Sequence, residues 1–413
     1  MLVVQTMPAL SLRQAASPHY PFPQHVNYGA NTIKPNHRSQ VQLDQDVRAF
    51  YRHWKSQYLI AAGTDNQDRP LYRIALSKAG DNRRYTVSEG QGYGMLITAL
   101  MAGDDPNAKT IFDGLWRFSR AHPSIIDSRL MAWKIPQPNA DSAFDGDADI
   151  AYGLLLAEQQ WGNAGSINYG TAAKTVIGAI AQSTIGRDSK LPLLGDWAKG
   201  NPDSAKFDQY SPRSSDFMPG HFRAYGRATR NSLWNEVITA TQSVTQQIQR
   251  NYSPVTGLLS DFIVSTCPGG RNYCPPQGKF LEGPQDGDYF YNAGRVPMRL
   301  GVDALINQNS LSKQQVRKIG AWIVTKTKGD PTRIAAGYQL NGTIISSKYT
   351  YFSSFFAAPF GVAAMLTPSQ QTWLNRVYSS VYQRHENYYE DSVTLLCLLI
   401  MTQNFWDPTK VPS

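Results

Sequence analysis

The segment DSAFDGDADIAYGLLLAEQQWG (residues 141–162) decides the fold class, because its apolar residues recur with the period of an α-helix. The residues on the apolar face of that helix are Ile150, Leu154, Ala157 and Trp161. The acidic residues at the start of the segment are Asp141, Asp145, Asp147 and Asp149. Their spacing does not match a calcium loop, which also requires a closing Glu. We therefore predict an amphipathic helix with either solvated acids at its start or an Asp145 side chain that points into a cleft.

The same periodicity extends to both ends of the chain. Two further apolar stripes consist of Leu43, Val47, Phe50, Trp54 and Tyr58, and of Val393, Leu396, Cys397, Ile400 and Met401. Clusters rich in Gly, Asn and Asp end such segments, as in AGDDPNA (102–108) and WGNAG (161–165), and alternating strand-like runs are rare. These patterns predict an all-α protein of about ten to twelve helices with long loops. No linker divides the chain, so we expect one domain over residues 21–413.

The charge of the chain is +9, from 40 Lys and Arg against 31 Asp and Glu. The basic residues are scattered, whereas nucleic-acid binding requires clustered Lys and Arg beside aromatic residues. No stretch approaches the ~18 consecutive apolar residues of a membrane-spanning helix. We therefore predict neither a nucleic-acid nor a membrane partner, and the absence of heptad patterning makes a monomer the expectation.

The opening segment MLVVQTMPALSLRQAASPHYPF (1–22) combines a short apolar run with small residues near Ala15 and Ala16. It resembles the end of a signal peptide that lacks its basic front. Ordinary disordered chain is the alternative for residues 1–20. A signal remnant would agree with a secreted, extracellular protein.

The chain contains three cysteines. Cys397 lies in the apolar run TLLCLLIM (394–401), where we expect a buried small hydrophobic residue. Cys267 and Cys274 flank the loop CPGGRNYC and form either a disulfide in an oxidising compartment or two free thiols. Because no His stands at ligand spacing, they make a poor zinc site, and no metal or cofactor is predicted.

The longest irregular stretches are residues 188–233 and 251–294. Long loops in a compact domain are usually functional. These two carry aromatic residues, Asp, Arg and Gly together, a combination typical of a sugar-binding cleft. Aromatic faces stack on pyranose rings, while carboxylates and guanidinium groups hydrogen-bond the hydroxyls.

A second informative segment is TVSEGQGYGMLITALMAG (86–103). Ser88 is a predicted N-cap that places Glu89 in the first turn of a helix. There Glu89 either complements the helix dipole or carries out chemistry. Three glycines in this helix, at about 1 kcal/mol each in a helix interior, indicate that another group approaches its backbone closely: Gly90, Gly92 and Gly94.

The segments SEGQGYGM (88–95) and DGDADIAYGLLLAEQQW (145–161) together resemble glycoside hydrolase family 8, which includes endoglucanases, lichenases, chitosanases and some xylanases. The loop RSSDFMPGHFRAYG (213–226) resembles the cleft loop of this family. The similarity runs from PFPQHVNYGANTIKPN (21–36) to YYEDSVTLLCLLIM (388–401). It implies an (α/α)6 barrel with a cleft across one end and hydrolysis with inversion at the anomeric carbon.

The resemblance also implies roles for individual residues. Glu89 corresponds to the general acid, and Asp145 lies at the cleavage subsite and positions the distorted sugar. Phe144 departs from the family signature, which usually has Ser or Thr before this Asp, so the local hydrogen bonding differs.

The second carboxylate is less direct to assign. Some family members use an Asp at the start of a late helix as the base, but YFYNAGRVPMRLGVD (289–303) has Asn292 there, and an amide cannot take a proton from water. Another branch carries Asn at this position and uses a Glu of the preceding loop. FLEGPQDGDYFYN (280–292) resembles that branch, which implies Glu282 as general base. Two acids of the same loop are rivals for this role: Asp286 and Asp288.

An inverting pair needs a protonated acid and an ionised base about 6.5–9.5 Å apart, with room for a water. Arg295 is expected to orient Asn292 or a cleft acid, or simply to pack against a helix start. Asp216 and Trp133 are further candidates for substrate contacts, although a Trp is more often a core residue.

We therefore predict an endo-acting inverting hydrolase of β-1,4 linkages in β-glucan, either cellulose-type or mixed-linkage. A chitosanase of the same family is the alternative, and the net charge of +9 opposes a polycationic substrate. A non-catalytic polysaccharide-binding protein is the alternative from another class, and it would be expected to have lost one of the carboxylates.

Overall fold

The computed structural model describes residues 17–198, 206–270 and 272–410. Most of the predicted signal-peptide remnant at residues 1–20 lies outside this described part. Within it, no helix is long and apolar enough to cross a membrane.

Twelve α-helices occur in the described residues, in agreement with the predicted number. They are α1 (Gln40–Tyr58), α2 (Ser88–Leu100), α3 (Ala108–Ala121), α4 (Phe144–Trp161), α5 (Tyr169–Ser183), α6 (Pro219–Thr229), α7 (Leu233–Asn251), α8 (Val296–Ile306), α9 (Ser310–Lys326), α10 (Ser354–Ala364), α11 (Gln371–Val381) and α12 (Tyr388–Met401). The antiparallel sheets of the described part pair β1 (Leu59–Thr64) with β2 (Pro70–Ile74), and β3 (Thr86–Val87) with β4 (Lys134–Ile135).

The even-numbered helices form a closed inner ring. Each contacts the next in the order α2, α4, α6, α8, α10, α12, and α12 returns to α2. Helices hydrophobic on all sides belong in the interior of a fold. In α12, for example, every residue from Asp391 to Met401 is buried, including the predicted core residue Cys397.

The odd-numbered helices form the outer ring. Each of α3, α5, α7, α9 and α11 packs on the inner helix that precedes it in the chain, and α1 packs on α12. These helices are amphipathic, as the stripe of α1 predicts, because only one face meets the inner ring. In α1, Ser39 and Gln42 exchange side-chain and backbone hydrogen bonds in a capping box that fixes the helix start. The arrangement is the predicted (α/α)6 barrel.

One of the two predicted loops contains a helix. The stretch 188–233 includes α6, which begins at Pro219 and lies in the inner ring. Pro is favourable at the first helical position, but the two glycines within 219–229 weaken the helical pattern. The expectation of an irregular 188–233 is therefore wrong for this part. Among its described residues, the stretch 251–294 contains no α-helix after the end of α7 at Asn251.

A small apolar cluster anchors the two loops to each other. Its buried members are Leu193, Leu194, Ala198, Phe262, Val264, Cys274 and Phe280. Because the first three come from one loop and the rest from the other, the cluster supports both loops at the same end of the barrel.

Candidate active site

A cleft of about 420 Å³ opens where the first turns of α2, α4 and α12 meet the loop before α8. Its wall is formed by Leu76, Val87, Ser88, Glu89, Trp133, Ala143, Asp145, Arg213, Glu282, Tyr291, Asn292, Asn387, Tyr388, Tyr389 and Glu390. Helix N-termini carry partial positive charge and stabilise nearby carboxylates. The first turns of three inner helices thus meet at one end of the barrel and bring acidic side chains together there.

Glu89 stands in the first turn of α2, as predicted, but Ser88 is not its N-cap. The helix begins at Ser88 itself, directly after β3, and the Ser88 hydroxyl has no hydrogen-bond partner among the described residues. The backbone N–H of Ser88 donates to the carbonyl of Trp133, which pairs β3 with the chain around β4. Gly146 of α4 lies so close to Ser88 that a Cβ there would be 2.2 Å from its hydroxyl oxygen. The Ser88 side chain therefore packs against α4 and does not cap α2.

The glycines of α2 permit close approach, as predicted. A Cβ at Gly90 would lie 2.8 Å from the hydroxyl oxygen of Tyr388, and one at Gly92 would lie 2.7 Å from the Cβ of Asp149. The Tyr388 hydroxyl donates to Glu89 Oε1 at 2.8 Å. The missing side chain at Gly90 is what allows α12 to reach the Glu89 carboxyl.

Arg295 is the centre of the charged network. It is almost fully buried, and its Nη1 donates to Glu89 Oε2 at 2.8 Å and to Asp145 Oδ2 at 2.9 Å. Its Nη2 donates to the hydroxyl of Ser215 at 2.8 Å and to Asn292 Oδ1 at 3.3 Å. Of the two predicted roles, these contacts favour the orienting one, since Arg295 contacts both Asn292 and two cleft acids.

The two acids that share Arg295 differ in their protonation. Burial raises the pKa of Glu89 to about 7; Arg295 opposes this rise, and the neighbouring Asp145 adds to it. Burial acts in the same direction on Asp145, but Arg295 and Arg213 outweigh it, so the pKa of Asp145 lies below its usual range. In active sites, two neighbouring acids whose pKa values are shifted in opposite directions typically have different roles, one protonated and one ionised. Glu89 is thus suited to hold a proton beside an ionised Asp145.

Glu282 lines the same cleft, with its side chain half exposed. Its Oε2 accepts from Asn292 Nδ2 at 2.9 Å, and its Oε1 accepts from Arg213 Nη2 at 3.2 Å. Both oxygens are held by donors, and the exposed side of the carboxylate faces the cleft. The chain Glu89–Arg295–Asn292–Glu282 links the two predicted catalytic residues through hydrogen bonds.

A buried acid that the sequence analysis missed lies beneath Asn292. Asp261 accepts from the backbone N–H of Ala293 at 2.7 Å and of Phe290 at 2.9 Å, and the Asn292 amide is 3.4 Å from its Oδ2. Burial raises the pKa of Asp261 to about 7. This residue fixes the turn that presents Asn292, and no sequence motif marks it.

The two rivals of Glu282 are placed differently. Asp286 is buried and accepts four backbone N–H groups, from residues 280, 281, 282 and 283, at 2.7–3.0 Å. Asp288 does not line the cleft, and burial raises its pKa to about 6. Neither carboxylate faces the cleft that contains Glu89 and Glu282.

The acids at the start of α4 are not solvated. Asp145, Asp147 and Asp149 are all buried, and only Asp145 lines the cleft. Asp147 accepts from the backbone N–H of Met131 at 2.8 Å. Asp149 binds the two Nη atoms of Arg299 at 2.6 and 2.9 Å. Of the two predicted alternatives, the structure favours the one in which Asp145 points into a cleft.

Two further residues were predicted to contact the substrate, and one lies at the cleft while the other lies behind it. Trp133 lines the cleft and is 36% exposed, so it is not a core residue. Asp216 is fully buried behind Arg213, so its predicted substrate contact is wrong. Several cleft residues lacked any sequence prediction: Arg213, Tyr291, Asn387, Tyr388, Tyr389 and Glu390. The polar start of α12, NYYE before an apolar run, is the signal that could have located four of them.

The predicted cysteine pair is joined in the structure. Cys267 and Cys274 form a disulfide with a Cα–Cα distance of 5.7 Å. Cys274 and Val264 also exchange backbone hydrogen bonds at 2.9 Å in both directions. The disulfide therefore closes the segment 267–274, which precedes Glu282 in the same loop.

Among the described residues, one group of His and acidic side chains has its ligand atoms within 4.8 Å of one another: His53, His385 and Asp391. The two imidazoles are stacked at 3.7 Å with an angle of 18° between their planes, so their nitrogens do not converge on one point. The Asp391 carboxylate already accepts from the Tyr58 hydroxyl and from the Glu386 N–H, each at 2.7 Å. None of the three lines the cleft.

Comparisons with known proteins agree with this architecture. The model of glycosyl hydrolases family 8 matches residues 43–403. A β-glucanase of Niallia circulans is 43% identical over 397 residues, covering 95% of this chain and 92% of the relative. An endoglucanase of Bacillus sp. (strain KSM-330) is 39% identical, covering 94% and 82%. The apo structure of a β-1,3-1,4-glucanase from Paenibacillus sp. X4 superposes with a TM-score of 0.88 at 43% identity, covering 95% of this chain and all of that one. The chain belongs to glycosyl hydrolases family 8 and is a glycoside hydrolase.

Proposed function

We propose that this hydrolase cleaves internal β-1,4 linkages of β-glucan with inversion, and that it belongs to the family branch with Asn in place of the helix Asp and a loop Glu as base. The observation that carries the proposal is the pair Glu89 and Glu282 in one cleft, joined by hydrogen bonds through Arg295 and Asn292. Asp286 and Asp288, which face away from the cleft, are weaker candidates for the base.

The proposed mechanism uses the proton states of this pair. Glu89, with its pKa raised to about 7, gives its proton to the glycosidic oxygen as the bond to the anomeric carbon breaks. Glu282 takes a proton from the water that attacks the same carbon from the opposite face. Asp145 stays ionised beside Arg295 and hydrogen-bonds sugar hydroxyls at the cleavage subsite. No metal or cofactor is needed for either proton transfer.

Mixed-linkage β-1,3-1,4-glucan and cellulose-type β-1,4-glucan are the proposed substrates, because the similar proteins are named β-glucanase, endoglucanase and β-1,3-1,4-glucanase. The aromatic side chains Trp133, Tyr291 and Tyr389 in the cleft wall suit glucan rings. Chitosan is the second candidate, since Glu390 adds a further carboxylate to the cleft that could meet glucosamine ammonium groups.

We also propose that the protein is secreted and that residues 21–413 form one catalytic domain. The signal-like start of the sequence and the disulfide in the cleft loop support secretion. Expression of the full chain in a bacterial host, followed by activity in the medium and N-terminal sequencing of the released protein, tests this.

The first experiment measures reducing-sugar release from barley β-glucan, carboxymethylcellulose and chitosan by wild type, Glu89→Gln and Glu282→Gln. We expect β-glucan to be the best substrate and both variants to lose at least about 1,000-fold in kcat. NMR of the fresh product should show the α-anomer. Activity of Glu282→Gln within tenfold of wild type would reject Glu282 as the base, and a β-anomeric product would reject inversion.

A further inference from the structure

Arg213 forms part of the cleft wall, where only 11% of its side chain is exposed. Its Nη2 lies 3.2 Å from Glu282 Oε1, and its Nη1 lies 3.8 Å from an oxygen of Asp145 and 3.8 Å from an oxygen of Asp216. The guanidinium also lies 5.5 Å from the centroid of the Phe262 ring. The Arg213 guanidinium therefore lies close to three carboxyl groups.

The backbone of Arg213 is tied to the same loop as Glu282. Arg213 and Phe262 form an isolated antiparallel β-bridge, and the N–H of Ile263 donates to the carbonyl of Pro212 at 3.0 Å. The backbone that carries the Arg213 side chain is thus hydrogen-bonded to the beginning of the loop that carries Glu282. This pairing helps to fix the position of the guanidinium relative to Glu282.

Asp216 is the unusual member of the three acids. It is fully buried, and neither of its carboxyl oxygens has a hydrogen-bond partner among the described residues. Burial raises the pKa of Asp216 to about 7, although Arg213 acts in the opposite direction. An ionised carboxylate without hydrogen bonds is costly in the interior. Below neutral pH the group is therefore mostly protonated, and the charge of Arg213 is left to Glu282 and Asp145.

Glu282 shares its donors with other acids. Asn292 Nδ2 donates to Glu282 at 2.9 Å and lies 3.4 Å from an oxygen of Asp261. Arg213 contacts Glu282 at 3.2 Å and lies 3.8 Å from an oxygen of Asp145. Of these two donors to Glu282, Arg213 is the one that carries a charge.

On the proposed role of Glu282 as base, we propose that Arg213 is a positioning residue that holds the Glu282 carboxylate at the cleft wall, and that Asp216, which makes no hydrogen bond among the described residues, leaves Arg213 free for this contact. The charged groups that face Asp216 are Arg213, Asp145, Arg295 and Arg299. Those that face Arg213 are Asp216, Asp145, Glu282, Arg295 and Glu89.

The first test compares kcat and KM on β-glucan for wild type, Arg213→Met, Arg213→Lys and the surface control Arg69→Met, which breaks an exposed ion pair with Asp65. Arg213→Met removes one of the donors that hold the Glu282 carboxylate. The kcat should therefore fall at least about tenfold while KM stays within about twofold. Arg213→Lys should recover part of the lost kcat, and Arg69→Met should follow wild type.

The second test isolates Asp216 from the titration of Glu89. The substrate is an aryl β-cellotrioside with a 2,4-dinitrophenolate leaving group. Because this group departs without acid assistance, loss of the Glu89 proton no longer limits hydrolysis. On this substrate, wild type should lose activity as Asp216 ionises above pH 7, and Asp216→Asn should keep it to higher pH. The melting temperature of each variant is measured alongside.

A kcat of Arg213→Met within twofold of wild type would overturn the proposal, as would identical alkaline profiles of wild type and Asp216→Asn on the activated substrate. If Arg213→Met fails to fold, Arg213→Lys and Asp216→Asn still give these two readings. Failure of the base assignment is seen separately, because it requires Glu282→Gln to remain active.

Discussion

The carboxylate of Asp286 should hold the proposed base in place without taking part in the chemistry. It is 3% exposed and accepts the backbone N–H groups of residues 280, 281, 282 and 283 at 2.9, 2.7, 3.0 and 2.9 Å. Four successive amides wrapped around one anion fix the backbone of Glu282 from both sides. We therefore expect Asp286→Ala to release the segment that carries Glu282.

The size of the effect follows from these contacts. Hydrogen bonds to a charged acceptor contribute about 1.5–3 kcal/mol each, so the four together contribute roughly 6–12 kcal/mol as an upper bound. Ordering four backbone residues costs roughly 4–8 kcal/mol. Without the carboxylate, the open loop is favoured by several kcal/mol. Burial of Phe280 in the apolar cluster and the contacts of Glu282 with Arg213 and Asn292 still offset part of the ordering cost. A remaining deficit of about 3 kcal/mol corresponds to a loss of about 100-fold in kcat.

The assay combines kcat on barley β-glucan, hydrogen exchange of the amides of residues 280–283 and the melting temperature. For Asp286→Ala we expect kcat to fall about 100-fold, the four amides to exchange faster and the melting temperature to change little, because the loop lies outside the twelve helices. Asp286→Asn keeps one acceptor oxygen, so its kcat should lie between those of Asp286→Ala and wild type. Asp288→Asn is the matched control in the same loop and should stay near wild type. Retention of half the activity by Asp286→Ala would refute the reasoning.

Three other results are expected. Because the pKa of Glu89 is raised to about 7, the acid is protonated below this pH and loses its proton above it, so kcat on β-glucan should fall as the pH rises through about 7; a flat rate between pH 6 and 9 would contradict this. Gly90→Ala places a Cβ 2.8 Å from the Tyr388 hydroxyl and should lower kcat about tenfold by displacing its hydrogen bond to Glu89. The matched control Gly178→Ala, on the outer helix α5 with no atom within 4 Å of the new Cβ, should leave kcat unchanged and stabilise the fold by about 0.5–1 kcal/mol. A thiol assay of denatured protein should find one thiol, Cys397, before reduction and three after it; three thiols before reduction would exclude the disulfide.

Local sequence patterns located α1 correctly, because an outer helix is buried on one face and burial then repeats every 3.6 residues. The stripes of α4 and α12 are buried too, but these inner helices are buried on nearly all sides, so the predicted amphipathic character of α4 is wrong. The pattern failed at α6, a short inner helix with Gly220 and Gly226. It also failed at Ser88, which packs against Gly146 of α4 and is not the N-cap.

The placement of the site residues depended on different information. Glu89 and Asp145 were predicted because each stands in a characteristic segment at a helix start, and resemblance to a family pointed to Glu282. Asp216 and Asp286 could not be assigned in the same way. Each is an Asp in a polar loop, and only the neighbours from other segments show that one lies behind Arg213 and the other binds backbone amides.

The sequence by itself determined the helical class, the family and the segments that carry the acids, since these depend on the order of residues along the chain. Only the tertiary structure decided which of those acids holds a proton and which is ionised. Glu89 and Asp145 contact the same guanidinium of Arg295, 206 and 150 residues away. Protonation depends on burial and on charges a few ångströms away, and those charges come from parts of the chain that only folding brings together.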